Sequence, residues 1–500
     1  MYQVACPACG APVSFRSAAS VMAVCSYCQS TLIRDADSVR DIGKMSAVLE
    51  DWSRIQIGTS GIFMGLNFSI IGRLQLVYED GFWNEWHALL DDGSSAWLSD
   101  SGGQYVITAA SKTQPQLPPF EKLAPGGSLQ FEGSHYIAAD VRTAKCTGGQ
   151  GELPFKAGQG WEARVADFRS GNLFLTLDYS DTTPAAYLGK SVTLEALKCQ
   201  NLRSNEQILE SAGKLPGSVT NLECPSCGAA ISSRAGLAQH IVCQVCHAEL
   251  TPDPASKTRD AYRVVKFNAE LEARKTTLSL GDKAQVQNVS WTLIGLMECH
   301  EVGEDASSTW TEYLLHSPDK GLKWLVESSE GWDLVEVLDE WPTQLSADSV
   351  RSRGLVYTRR YTYEGEVTWA AGAFNWRVHI GDRVRIIDYR TGDQTLSAER
   401  NNSELTWSYA KRVPAHAVMR WFGKKADESA PRRQALSNAP QTDSRMWYYK
   451  TALLTTLGLA GVNAPSLVMS NTAVIWPILA VVALWFPLFK YNDQLSEDDD

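Results

Sequence analysis

The alternation of apolar and polar positions along most of the chain predicts short β-strands. Three stretches, Phe68–Val77, Trp291–Leu296 and Arg383–Tyr389, are rich in the β-branched and aromatic residues that favour a pleated strand. Turn sequences such as Asp91-Asp92-Gly93 and Arg390-Thr391-Gly392-Asp393 follow stretches of this kind. The pattern predicts a mainly β fold built from small antiparallel sheets or barrels.

One segment instead shows the spacing of a helix face. Its apolar residues are Val39, Ile42, Met45, Leu49 and Trp52. Residues three or four positions apart lie on one side of a helix. We therefore predict a linker helix at 35–56, and a second one at the corresponding place, 253–279.

The chain repeats itself after somewhat more than two hundred residues. Trp83-Asn84-Glu85-Trp86 corresponds to Trp310-Thr311-Glu312-Tyr313, and Asp167-Phe168-Arg169-Ser170-Gly171 corresponds to Asp388-Tyr389-Arg390-Thr391-Gly392. The offset drifts along the chain, as loop insertions between preserved elements would cause. The repeat predicts a tandem duplication with units of about 1–215 and 216–425.

Each unit opens with four cysteines in two Cys-x-x-Cys pairs. The eight residues are Cys6, Cys9, Cys25, Cys28, Cys224, Cys227, Cys243 and Cys246. Four thiolates at this spacing form a tetrahedral zinc ribbon, whereas a redox Cys-x-x-Cys is normally single. Four protein ligands leave no coordination position for water. The sequence thus predicts two structural Zn²⁺ ions per chain.

Composition and charge argue against some classes of function. The chain is 44% apolar and 21% charged, with a formal net charge of -11. Between the inner cysteines of the two ribbons lie single basic residues, Arg16 and Arg234. Because phosphate binding needs several basic groups on one face, nucleic-acid binding is disfavoured. The N-terminus lacks a secretory signal pattern, which favours thiolates on metal in a reducing compartment.

The C-terminal region is strongly apolar. Residues 451–469 and 472–489 carry no charge, and Ser470-Asn471 between them resembles a turn. Each stretch could cross a hydrocarbon core of roughly 30 Å. Basic residues flank both ends, so a hairpin would leave both flanks on the cytoplasmic side of the inner membrane. A single span or a buried helical hairpin are the alternatives.

The second unit resembles the bacterial DUF4178 family, a domain of unknown function. The matching motifs are Trp291-Thr292-Leu293-Ile294-Gly295, Trp310-Thr311-Glu312-Tyr313-Leu314-Leu315, Trp324-Leu325-Val326-Glu327, Gly372 to Trp376, and Leu396-Ser397-Ala398-Glu399. The first unit is degenerate, with Phe68 at the position of Trp291. The resemblance implies an accessory protein that acts beside membrane-stress proteins or polyamine-synthesis enzymes.

No catalytic motif is recognisable in the sequence. The eight histidines are scattered, and no phosphate loop, dinucleotide fingerprint or Gly-x-Ser-x-Gly occurs. Glu85 and Glu312 lie at equivalent positions between aromatic residues, where they could bind a cation with help from Trp310 and Tyr313. The alternative is that these aromatics form core and that the glutamates pair locally.

Three functional hypotheses follow. The first is a non-enzymatic, membrane-anchored cytoplasmic adaptor with protein partners at the membrane face. The second is a sensor or enzyme-like β-domain for a small cationic ligand such as a polyamine, and the third is a nucleic-acid-binding ribbon protein.

The predicted segments are ribbon 1 at 1–34, linker helix 35–56, β-rich module 57–215, ribbon 2 at 216–252, linker helix 253–279, β-rich module 280–425, polar linker 426–446, transmembrane hairpin 447–491 and acidic tail 492–500.

Overall fold

The computed structural model describes most of the chain up to residue 424. The described residues are 2–17, 20–28, 30–35, 38–44, 53–79, 81–113, 117–156, 161–211, 224–227, 240–243, 245–246, 248–252, 262–266, 276–303, 308–318 and 320–424. All of them belong to one compact unit, Met1–Asp427, and the second unit, Glu428–Asp500, lies outside them.

The regular secondary structure in the first half of the described chain is almost entirely β-strand, as the sequence predicts. Its strands are β1 (Tyr2–Ala5), β2 (Pro12–Phe15), β3 (Met22–Val24), β4 (Ser30–Asp35), β5 (Ser38–Lys44), β6 (Ser60–Phe63), β7 (Leu66–Val77), β8 (Phe82–Leu90), β9 (Ser95–Ser101), β10 (Gln104–Ala110), β11 (Ser128–Phe131), β12 (Ser134–Leu153), β13 (Glu162–Ser170), β14 (Leu173–Asp178) and β15 (Ala185–Val192). A short 3-10 helix (Phe120–Lys122) and helix α1 (Asn205–Ser211) complete it.

The second half repeats the order of the barrel strands. Its strands are β16 (His240–Val242), β17 (Glu249–Pro252), β18 (Tyr262–Lys266), β19 (Lys283–Val286), β20 (Val289–Val302), β21 (Thr309–Ser317), β22 (Gly321–Ser328), β23 (Gly331–Val337), β24 (Thr343–Ser346), β25 (Ser349–Ser352), β26 (Leu355–Phe374), β27 (Arg383–Thr391), β28 (Gln394–Arg400) and β29 (Leu405–Val413). Helix α2 (Ala415–Trp421) follows.

Each half closes into an eight-stranded antiparallel barrel. In the first barrel the strand order is β12-β13-β14-β15-β10-β9-β8-β7, and β7 pairs back onto β12. In the second it is β26-β27-β28-β29-β23-β22-β21-β20, and β20 pairs back onto β26. A barrel of this size has room inside for side chains or one small ligand.

Glycines face each other where each barrel closes. Gly72 on β7 is paired with Gly151 on β12, and Gly295 on β20 is paired with Gly372 on β26. A Cβ atom on Gly72 would lie 2.0 Å from the carbonyl oxygen of Glu152, and one on Gly372 would lie 2.4 Å from that of Ile294. Gly372 also has φ +96°, which side chains rarely adopt. The closing strands therefore approach too closely for any other residue.

The outer face of each barrel is covered by its own flanking segments. In the first barrel Trp86, Leu98 and Ile107 are buried against Leu194 and Leu197. In the second barrel Trp291, Tyr313 and Leu325 belong to a cluster that includes Val418 and Met419 of α2. Several motif aromatics of the sequence thus serve packing on the outside of the barrels.

The prediction of linker helices is wrong where the structure describes these segments. Residues 38–44, within the predicted helix 35–56, form β5, which pairs antiparallel with β4. Residues 262–266, within the predicted helix 253–279, form β18, which pairs with β17. Both strands extend an existing sheet edge, and that pairing overrides a helix-like spacing of apolar residues in segments that also contain β-branched residues.

The predicted transmembrane hairpin 447–491 lies outside the described residues, as do the polar linker 426–446 and the acidic tail 492–500. Among the residues that the structure describes, we find no helix with the length and apolar character needed to cross a membrane.

We expect Gly372→Ala to lower the free energy of unfolding by about 3 kcal/mol, since the new methyl group collides with backbone and the residue keeps a left-handed φ. Urea unfolding followed by tryptophan fluorescence measures this loss. Gly354→Ala is the matched control, because Gly354 has φ +78° and a Cβ atom there would meet nothing within 4 Å. That variant should lose only about 1 kcal/mol, and equal losses would refute a steric role for the closing glycines.

Candidate functional site: two thiolate clusters and two acidic barrel interiors

The eight predicted cysteine ligands converge into two clusters. In the first, the Sγ atoms of Cys6 and Cys28 lie 3.6 Å apart and those of Cys9 and Cys25 lie 3.7 Å apart. In the second, Cys224 and Cys246 are separated by 3.7 Å, and Cys227 and Cys243 by 3.8 Å. Four sulfurs about 2.3 Å from one ion at tetrahedral angles stand about 3.8 Å apart. The donor type and the spacing fit Zn²⁺ at both clusters.

Local backbone bonds shape the knuckles of these clusters. The Cys6 amide donates to the carbonyl oxygen of Ala11 at 2.7 Å, and the Gly10 amide donates to that of Cys6 at 2.8 Å. Gly10 has φ +77°, so the residue after the second ligand takes the conformation that glycine tolerates best. The first ligand of each cluster is buried and the second is exposed.

Each thiolate cluster is joined to its barrel through the sheet. Strand β3 pairs with the end of β12, and β16 pairs with the end of β26. In the first copy the Glu152 carboxylate of β12 accepts hydrogen bonds from the amide of Arg16 at 2.6 Å and the hydroxyl of Ser20 at 2.8 Å. In the second copy Nδ1 of His379 lies 2.8 Å from the carboxylate of Glu249. The ribbons are therefore extensions of the barrels.

The interior of the second barrel contains three carboxylates, Glu312, Asp388 and Glu399. Glu312 lies on β21 and Glu399 on β28, four strands away in either direction around the barrel. Negative charge on Glu312 nevertheless raises the pKa of Glu399. Two groups on opposite walls can influence each other in this way only across the interior. All three side chains are half-buried.

Neutral donors hold these carboxylates in place. Trp310 Nε1 donates to Glu312 at 2.7 Å, and the Ser408 hydroxyl donates to Glu399 at 3.2 Å. Asp388 accepts from Ser397 at 2.6 Å and from the Tyr363 hydroxyl at 3.3 Å. Within the described part of the chain, neither Glu312 nor Glu399 is ion-paired to a basic side chain.

Burial and mutual repulsion disfavour the charged forms of these groups. Burial, with Glu312 and Asp388 adding to it, raises the pKa of Glu399 to about 8. Burial also raises the pKa of Glu312 and that of Asp388. At neutral pH the Glu399 carboxyl is largely protonated unless a cation stabilises its charged form.

Aromatic side chains line the same interior. The rings of Trp310 and Tyr363 meet edge to face with centroids 5.9 Å apart. Tyr313, the fourth predicted site residue, lies on the outer face, where its ring stacks on Trp332 at 5.5 Å and its hydroxyl donates to Glu327. Neighbouring residues of a strand point to opposite faces, so Tyr313 cannot share a site with Glu312.

The first barrel carries the equivalent carboxylates Glu85, Asp167 and Asp178. Glu85 accepts from Trp83 Nε1 and from the Ser99 hydroxyl, each at 2.8 Å. Burial is the main reason that the pKa of Glu85 rises to about 7, and the charges of Asp167 and Asp178 contribute. The local pairing considered in the sequence analysis is present for both Glu85 and Glu312.

The first barrel also contains a buried guanidinium. Arg142 is ion-paired with Asp140, and its Nη2 lies 3.3 Å from the carboxylate of Glu404, a residue of the second half. Its Cζ lies 3.9 Å from the ring centroid of Tyr78. Burial lowers the pKa of this guanidinium, but Asp140, Tyr78 and Glu404 more than offset that effect, and the group stays cationic.

The family model described as Domain of unknown function (DUF4178) matches the chain twice, at residues 56–194 and 279–415, over more than half of its length. The chain belongs to this family. The two matches correspond to the two barrels, and a thiolate cluster precedes each DUF4178 copy. No curated protein matches the chain.

The DUF4178 motifs divide into packing and interior positions. Trp291 is buried on the outer face, and Gly295 and Gly372 form the closing seam. Glu312 and Glu399 lie inside the barrel with Trp310. The family motifs thus include residues that close the barrel and residues that form its acidic interior.

Sequence reasoning found Glu85, Glu312 and Trp310 but missed the remaining interior groups. Asp388 and Glu399 belong to stretches that the repeat aligns with Asp167 and Asp178. A carboxylate retained at a matching position in both copies was the signal that could have identified them.

We expect two zinc ions per chain and loss of one ion in Cys25→Ser, because three remaining thiolates do not complete a tetrahedral site. Metal analysis of protein purified without chelator measures the ratio. Cys199→Ser is the control, since Cys199 belongs to neither cluster, and it should retain two ions. A zinc content near zero in the unaltered protein would contradict the assignment.

Proposed function

We propose that this protein binds a small organic cation inside its second barrel and is tethered to the cytoplasmic face of a membrane. The observation that carries the proposal is the set of three interior carboxylates, two of which have no basic partner among the described residues. Buried ionised carboxylates are costly unless a positive charge accompanies them. A bound cation would supply that charge.

The aromatic lining supports an organic cation over a bare metal ion. Trp310 and Tyr363 lie beside the carboxylates, and aromatic rings attract ammonium and guanidinium groups. Among the described residues, the only clusters compact enough to hold a metal ion are the two sets of four cysteines. Polyamines and related organic cations have the matching chemistry.

The interior groups are suited to binding and not to nucleophilic chemistry. Cys299 faces the same interior, and burial together with the charges of Glu312 and Glu399 raises the pKa of its thiol. A thiol whose pKa is raised stays protonated and is a weak nucleophile. We therefore favour a non-enzymatic sensor or carrier of the cation.

The zinc ribbons are proposed to provide contacts with a protein partner, which retains part of the adaptor hypothesis. Tyr27 is 78% exposed and Val245 is 62% exposed, and they occupy the same position in the second knuckle of each ribbon. An apolar residue displayed at the same place in both copies is consistent with protein contacts. Nucleic-acid binding remains disfavoured by the net charge of -11.

Calorimetric titration of the full-length zinc-loaded protein with putrescine and with butylguanidinium tests the cation site. We expect saturable binding of at least one of these cations at one per chain. Glu312→Gln should weaken that binding about tenfold or more, because a charge-assisted hydrogen bond contributes about 1.5–3 kcal/mol. Glu85→Gln makes the same change in the other barrel and should leave the affinity unchanged. Absence of binding by every cation would refute the proposed function.

Tethering through residues 447–491 predicts that the full-length protein sediments with membranes and resists extraction by alkaline carbonate. Val482→Asp places a charge in the second apolar stretch and should weaken this association, because a charged side chain in the hydrocarbon core costs about 3 kcal/mol. Recovery of the unaltered protein in the high-speed supernatant of a detergent-free lysate would show that the tether is wrong.

A further inference from the structure

The two barrels differ at the positions that hold the buried guanidinium. On β12, Asp140 pairs with Asp167 and Arg142 pairs with Val165. On β26, Tyr361 pairs with Asp388 and Tyr363 pairs with Ile386. The Asp140–Arg142 ion pair of the first barrel is therefore replaced by two tyrosines in the second.

A third position changes in the same region. Leu76 pairs with Trp83 in the first barrel, and Cys299 pairs with Trp310 in the second. Two residues further along the chain, Tyr78 corresponds to Glu301. At these positions the second barrel has the carboxylate of Glu301 and the rings of Tyr361 and Tyr363, but it lacks the guanidinium.

The guanidinium of the first barrel acts on Asp167, one of the shared carboxylates. Burial raises the pKa of Asp167, and the charges of Arg169 and of Arg142 act against that rise. Asp167 corresponds to Asp388, one of the three carboxylates of the second barrel. The second barrel keeps this carboxylate but has neither the Arg142 guanidinium nor its partner Asp140.

Access also differs between the copies. In the first barrel the Arg142 side chain is 10% exposed, and Asp140 forms a backbone bridge with Glu404 of the second half. Tyr361, at the position of Asp140, is 55% exposed. The first site is covered by the second half of the chain, whereas the corresponding position of the second barrel reaches solvent.

We propose that the second barrel binds a guanidinium group supplied from outside, at the place that Arg142 occupies in the first barrel. This inference rests on the proposed cation-binding function and names the ligand class. A planar guanidinium can donate two parallel hydrogen bonds to a carboxylate and stack on aromatic rings, and an ammonium group can do neither. The ligand is a free alkylguanidinium or an exposed arginine side chain.

Calorimetry on the full-length zinc-loaded protein compares butylguanidinium with butylammonium, two probes with the same alkyl chain. We expect butylguanidinium to bind at least about tenfold more tightly, since only guanidinium forms bidentate and stacked contacts, with one site per chain. Equal or tighter binding of butylammonium would overturn the guanidinium inference while leaving the proposed function intact. Binding of neither probe would overturn both.

The double variant Tyr361→Asp/Tyr363→Arg rebuilds the ion pair of the first barrel inside the second. It should abolish butylguanidinium binding while retaining two zinc ions and the unaltered protein's far-ultraviolet spectrum. Thr362→Arg is the companion variant, which adds a cation at an exposed neighbouring position on the opposite face of β26 and should bind butylguanidinium within a few fold of the unaltered protein. Undiminished binding of butylguanidinium by a folded double variant would refute the proposed location of the bound guanidinium group.

A capped tripeptide with a central arginine distinguishes the two sources of the guanidinium. Binding of both butylguanidinium and the peptide would support the inference and assign the ligand to a partner's arginine. Binding of butylguanidinium alone would support it and assign a free small molecule, because the interior would then exclude a peptide backbone.

Discussion

The close approach of two strands at each closing seam is the constraint on which the rest of the structure depends. Gly72 and Gly151 in the first barrel, and Gly295 and Gly372 in the second, allow backbone to pass backbone with no room for a Cβ atom. Without this contact each module would be an open sheet with two exposed edges. Closure removes the edges and divides the side chains into an inner and an outer set.

Closure also places several carboxylates in one buried interior. Carboxylates on opposite walls are brought into range of one another, and burial raises the pKa of Glu85 to about 7 and that of Glu399 to about 8. The two copies differ in the side chains that accompany these carboxylates. The first places Arg142 inside and is covered by Glu404, whereas the second has tyrosines at the corresponding positions. Duplication has therefore produced one interior that contains a guanidinium and one that does not.

The thiolate clusters are part of the same architecture. Strands β3 and β16 continue the barrel sheets through β12 and β26, in pairings that include the closing glycines Gly151 and Gly372. Glu152 fixes the first ribbon through backbone and hydroxyl donors, and Glu249 contacts His379 in the second. Zinc at these clusters would hold in place the ribbon strands that pair with β12 and β26.

The sequence by itself determined the features that depend on local pattern or on spacing. The β-rich fold, the duplication, the family and the eight thiolates follow from alternation, from repeated motifs and from Cys-x-x-Cys spacing. The zinc ligands could be named in advance because each knuckle is formed by residues close together in the chain. The transmembrane hairpin at 447–491 remains a prediction from the sequence alone.

Only the tertiary structure decided the features that depend on pairing between distant strands. Residues 38–44 and 262–266 became strands because a sheet edge was available to them. Tyr313 was separated from Glu312 by the alternation of faces, and Asp388 and Glu399 joined the site through closure of the barrel. Register and closure are non-local, so the sequence could indicate that carboxylates recur but could not show that they face one another.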